Sequence, residues 1–281
     1  MNELVLSVFP GIGLLDMAFE QEGFCVVRGP DLLWGGDIRR FSPPPGKFAG
    51  VIGGPPCQAF SDLMPLIKFK YGPSAVADNL IPEFERCITE AQPDWFLMEN
   101  VRRAPIPSVI GYVIKPVLLN NRSFGAEQNR VRRFSFGVTG NESVNLLRFL
   151  ESQALENHIY KRAVIGSGGG ASLGYDRGGV KRHTATMERA YEVNSRSIAE
   201  RLRLQGLPTD YLDHSPFTLI GKKDVIKNGV PLPMGRAVAR AVRRALESRP
   251  SAIAQDYTAW RAAHAGELAA SVAWAEQAAL G

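Results

Sequence analysis

The first half of the chain alternates short apolar runs with amphipathic stretches. "LVLSVF", residues 4–9, is an apolar run that predicts a buried strand. "LDMAFEQEG" then has helical spacing and stops at Gly23. "FCVV" (24–27) and "FAGVIGG" predict two more strands. "IPEFERCITEAQ" reads as a helix that ends before Pro93, "DWFLMENV" as a strand, and "FGAEQNRVRRFSFGV" holds another strand near 131–138. Strands alternating with helices predict a doubly wound α/β sheet, parallel in the main. After about residue 140 the texture changes. Residues 141–165 are mixed, and "GSGGGASLGYDRGG" (166–179) is loop-like. Helical spacing returns in "SRSIAERLRLQG". "NGVPLPMGRAVARAVRRALE" gives a Pro-rich turn and a basic amphipathic helix, and the Ala-rich tail from 250 to 281 also reads as helix. There is no internal repeat.

Composition narrows the class. A chain of 281 residues has room for one large domain and a small one. No apolar run reaches the roughly 18 residues that would suggest a membrane span, and the N-terminus lacks the basic flank of a signal peptide. Cys25, Cys57 and Cys87 show no metal-ligand spacing, so neither a metal site nor a disulfide framework is expected, and a reducing, cytoplasmic setting is. A net charge of +5 permits a polyanionic partner without requiring one.

Candidate chemistry gathers at strand ends. In "GVIGGPPCQAFS" a strand halts on Gly53-Gly54-Pro55-Pro56, which places Cys57 on a stiff, accessible turn with Gln58 and Ser61 behind it. Glu99 in "FLMENV" also follows strand residues. In such a sheet the C-terminal strand edge is where ligands bind, so Cys57 and Glu99 can face one pocket as nucleophile and proton donor; alone, Glu99 reads rather as a helix-capping acid. Phe9-Pro10-Gly11-Ile12-Gly13 joins the first strand to its helix and can bring backbone N–H groups to a ligand. Asp31 follows the second strand, where a carboxylate can bind ribose hydroxyls, and Asp37 lies just beyond; each alone reads rather as a loop or capping residue. Gln128, Arg130 and Arg132, at spacing two, share a face if that segment is a strand.

The order FxGxG, GDI, GGPPCQ, ENV, QxRxR, LQG, NGVPxP, running from Phe9 to about Ala245, resembles the DNA cytosine-5 methyltransferase family. The resemblance implies a Rossmann-like fold dependent on S-adenosylmethionine (SAM), with a small inserted target-recognition domain. The large domain would be 1–138 plus 226–248, the insertion 139–225, and 249–281 a helical tail. It implies that Cys57 attacks C6 of cytosine, that Glu99 meets N3 and the exocyclic amine, and that Arg130 and Arg132 hold the base and order the site. The cofactor would lie against Phe9, Gly11, Ile12, Gly13, Asp31, Asp37, Ile38, Pro55, Leu80, Asn228 and Gly229. Gln58, Ser61, Gln128, Lys181 and Arg182 would face DNA, with Lys161, Arg162, Arg177 and His183 as further candidates. The expected partner is double-stranded DNA, with the target base flipped out, and the enzyme a monomer of prokaryotic or phage origin.

Two departures stand out. Asp31 replaces the family's usual Glu on the ribose, and Lys227 replaces the glycine before the Asn228-Gly229 pair. Lys227 can point to solvent or DNA phosphate, pair with Asp31 or the cofactor's carboxylate, or favour an acidic SAM analogue and so carboxymethyl transfer. An RNA cytosine-5 methyltransferase is the other alternative; the "CFT" element of that branch is absent, because no cysteine follows Cys87. A non-catalytic relative would have lost Cys57 or Glu99.

Overall fold

The computed structural model describes residues 4–60, 78–141, 143–151, 161–163 and 195–248. Its centre is a six-stranded sheet in the order β2–β1–β3–β4–β7–β5. The strands are β1 (Leu4–Val8), β2 (Cys25–Arg28), β3 (Gly50–Gly53), β4 (Trp95–Asn100), β5 (Tyr112–Asn120) and β7 (Val131–Thr139). The first four in chain order pair in parallel, with Val5 opposite Val26, Leu6 opposite Val51 and Ile52 opposite Leu97. β7 runs antiparallel to both neighbours and sets Glu99 opposite Phe134. The expected doubly wound, mostly parallel sheet is therefore present, with one reversed strand. The two-residue β6 (Gln128–Asn129) pairs with β8 (Lys161–Arg162) outside it.

Helices cover both faces, because strands buried on both sides need cover on both. On one face, α1 (Leu14–Gln21) and α5 (Leu232–Glu247) set Leu15, Phe19, Met234, Val238 and Val242 against Val5, Ile52, Leu97 and Phe136. On the other, α2 (Ile81–Ala91) packs Ile81, Phe84 and Ile88 onto Leu6, Val51, Phe96 and Met98. A third cluster joins Ile12 and Leu14 to Leu202, Leu204, Leu207, Leu212, Val225 and Ile226, from α3 (Ile198–Gln205), α4 (Leu219–Asn228) and their connection. Residues 198–225, expected in the inserted domain, thus pack on the helix that follows β1. The Gly-rich segment 166–179 and the tail 249–281 lie outside the described residues. None of the described helices is long and apolar enough to cross a membrane.

Candidate active site

The chain leaves β1 toward β2 on one side and β3 on the other. That switch point opens a crevice beyond the strands' C-terminal ends, and a cavity of about 300 Å³ lies there.

One wall is the turn after β1. Gly13 caps α1 with φ 80°, a left-handed conformation that disfavours side chains. Phe9 holds φ 57°, unusual for a bulky residue, and strain of this kind collects at ligand sites. The Asp31 carboxylate pins the turn: one oxygen accepts from Gly11 N and the other from Leu33 N, both at 2.8 Å. Trp34, which the sequence reading did not single out, donates from Nε1 to Gly11 O at 2.7 Å. Phe9, Gly11, Ile12, Asp31, Ile38, Pro55, Leu80, Asn228 and Gly229 all line the cavity. Gly13 and Asp37 do not. Asp37 instead caps the turn Ile38–Arg40 and pairs with Arg39, which holds its carboxyl below the usual range.

Ser7 and Asp16 line the cavity too. Asp16 is fully buried, accepts from Ser7 Oγ at 2.5 Å and pairs with Arg28 Nε at 3.0 Å. Burial raises its carboxyl above the usual range despite both partners. The available signal was an acid on the otherwise apolar face of α1.

The opposite wall carries the candidate chemistry. The Pro55-Pro56-Cys57 turn is locked from β4: Asn100 Nδ2 donates to Pro55 O at 3.0 Å, and Asn100 Oδ1 accepts from Val101 N at 2.8 Å. Cys57 is a half-buried free thiol at the end of this turn. Glu99 is buried, and its Oε1 meets Arg132 Nε at 3.0 Å. Burial lifts the Glu99 carboxyl above the usual range, against the pull of Arg132 and Arg130. Such a group holds a proton at a higher pH than an exposed glutamate does. Cys57, Gln58, Glu99 and Arg132 share the cavity with the β1 turn.

Arg130 is buried but does not line the cavity. Its Nη2 donates to Lys227 O at 2.5 Å and to Gly229 O at 3.2 Å. Desolvation, then the Arg132 charge, press its guanidinium well below the ordinary value, opposed by Glu99 and Cys57. Gln128, expected to face DNA, is fully buried and donates to Leu204 O at 3.4 Å. The three QxRxR side chains meet different partners: Gln128 the Leu204 carbonyl, Arg130 the Lys227 and Gly229 carbonyls, and Arg132 the Glu99 carboxylate. Lys161 pairs with Glu200 at 3.3 Å. Lys227 lines the cavity, yet its ammonium pairs with Asp224 at 3.2 Å, not with Asp31. Ser61, Lys181 and Arg182 lie outside the described residues.

The comparisons fit this geometry. Residues 35–105 match the family model "C-5 cytosine-specific DNA methylase". Over 164 residues the chain is 27% identical to the type II methyltransferase M.NgoPII of Neisseria gonorrhoeae, covering 47% of each protein. It is 29% identical to M.FnuDI of Fusobacterium nucleatum, over 52% of this chain and 49% of that one. The chain thus spans about half the length of these curated relatives. In fold it is similar to a mutant of Spodoptera frugiperda DNMT2 (TM-score 0.53, 13% identity, covering 86% of this chain and 99% of that one). It is likewise similar to S. pombe Dnmt2 methyltransferase (TM-score 0.52, 13% identity, 87% and 98%). Sheet, switch-point cavity and neighbours define a Rossmann-like fold of the kind found in methyltransferases. Within that class the chain is similar to the C-5 cytosine-specific DNA methylases over residues 35–105, and to type II methyltransferases over about half of its length.

Proposed function

We propose that this protein transfers a methyl group from SAM to C5 of a flipped-out cytosine in double-stranded DNA, through a covalent bond between Cys57 and C6. The observation that carries the reading is the single cavity shared by Cys57, Glu99 and Arg132 with the Phe9–Ile12 turn. The residues fit the cofactor. Ile38, Leu80 and Pro55 offer an apolar seat for an aromatic base, Asp31 a carboxylate near the turn, and α1 its N-terminal end. When bound, SAM supplies an electrophilic methyl on a sulfonium.

The rest falls to the chain. Cytosine C5 is a weak nucleophile until C6 carries an electron-rich adduct. The Cys57 thiolate adds to C6, and the displaced electron pair moves toward N3. Glu99 meets that charge with its proton, which burial lets it keep to a higher pH than an exposed glutamate does. Arg132, at 3.0 Å, keeps the carboxyl aimed. After C5 gains its methyl, the N3 proton returns to Glu99 and a solvent water takes the C5 proton; that C–H electron pair restores the C5–C6 double bond and expels Cys57, so the thiolate returns unchanged. The two prolines and the Asn100 bond to Pro55 O make the attack geometry reproducible.

Expression in a host without cytosine methylation, followed by mass spectrometry of its DNA and transfer RNA, tests the proposal. The expected result is 5-methylcytosine in DNA. The base in RNA alone, or carboxymethylcytosine in DNA, would replace it with one of the alternatives.

A further inference from the structure

The last carbonyls of a helix have no partners within it. Those of α4 end beside the cavity, where Asn228, Gly229 and Val230 form part of the wall. Two buried side chains from distant segments satisfy them. Gln205, at the end of α3, donates from Nε2 to Ile226 O at 2.5 Å and to Gly229 O at 3.3 Å. Arg130 donates to Lys227 O and to the same Gly229 O. A cation at this end also meets the negative pole of the helix dipole. Two residues to either side of Arg130, Gln128 is tied to Leu204 O and Arg132 to Glu99. One short stretch therefore reaches the end of α3, the turn after α4 and the Glu99 carboxylate.

We infer that Arg130 and Gln205 are positioning residues that latch the Asn228–Val230 turn against the catalytic strands, so that Arg130 serves the cofactor wall rather than the base. What fills the cavity rests on the methyltransferase reading; the latch rests on the hydrogen bonds alone. Burying a guanidinium is costly, and two carbonyls at a helix C-terminus with Glu99 nearby offset that cost.

The test uses the full chain and the variants Gln205→Leu, Arg130→Lys and Arg130→Met. Amide hydrogen exchange over residues 225–231 without cofactor should be faster in Gln205→Leu and Arg130→Met. The KM and Kd for SAM should rise about five- to thirtyfold, the size of one or two lost hydrogen bonds, while kcat at saturating SAM falls far less. Arg130→Lys, which keeps a donor, should recover part of the affinity. Gln205→Leu removes only neutral bonds and decides the matter if the Arg130 variants do not fold. Parent-like exchange and SAM affinity in the folded variants would overturn the latch, whatever happens to kcat. If the parent binds no SAM, the methyltransferase reading fails, and the exchange comparison still decides the latch.

Discussion

Glu99→Gln separates the proton from the shape of the side chain. Glutamine keeps the volume and can still donate to N3, but it cannot deliver a proton. General acid assistance contributes about 10²–10⁴-fold, so the single-turnover methylation rate should fall by that factor. Stability should barely change, because two effects oppose. The charge-assisted contact with Arg132 at 3.0 Å weakens, a loss of about 1.5–3 kcal/mol. The cost of burying the carboxylate disappears, a gain of about 1–3 kcal/mol. The pH dependence has a definite sign. Burial raises the folded Glu99 above its ordinary 4.5. As pH climbs through 4.5, the unfolded chain releases this proton first, and the parent loses stability until the folded group ionises. The melting temperature of the variant relative to the parent should therefore increase with pH over that window and level off above it. The assay is rapid-quench methylation with tritiated SAM and a duplex substrate, alongside thermal melts from pH 4.5 upward. Equal losses of DNA affinity and single-turnover rate, or a melting difference that does not move with pH, would refute a proton-holding Glu99.

Other expectations follow from single contacts. A Cβ at Gly54 would sit 3.2 Å from Glu99 Oε2, so Gly54→Ala should displace the carboxyl and slow single turnover about three- to tenfold with SAM affinity unchanged. Gly13→Ala meets Arg28 Nη2 at 2.7 Å at a φ of +80°; urea titration should show a loss of about 1–2 kcal/mol from the backbone alone, and calorimetry weaker SAM binding. Burial pushes the Cys87 thiol up to about 12, so native alkylation followed by peptide mass spectrometry should label Cys57 and spare Cys87 until the chain is denatured.

Strands β1, β3 and β4 were legible because each is a buried apolar run flanked by turn residues. β5 was not: "YVIKPVLLN" carries Lys115 and Pro116, which only an edge strand tolerates. α4 escaped because Leu219 and Ile220 face solvent, more than 60% exposed, while Val225 and Ile226 alone are buried, so its periodicity is weak. Cys57 and Glu99 could be found as residues placed just beyond or at the end of apolar runs. The partners of Arg130 and Gln128 could not, since both bond to carbonyls 76 to 99 positions away. The Ser7–Asp16–Arg28 group joins β1, α1 and β2, and only the parallel register of β1 and β2 brings it together.

The central claim is that Cys57 bonds to C6 of cytosine in DNA. The most direct measurement incubates the purified protein with SAM and a duplex carrying 5-fluorocytosine at the methylated site, then resolves denatured products by mass. Fluorine at C5 cannot leave as a proton does, so the enzyme stays attached. The account predicts a covalent complex of protein, DNA and one methyl group, mapped to the Cys57 peptide and absent in Cys57→Ser. A complex that persists in Cys57→Ser, or one mapped to Cys25, would contradict it.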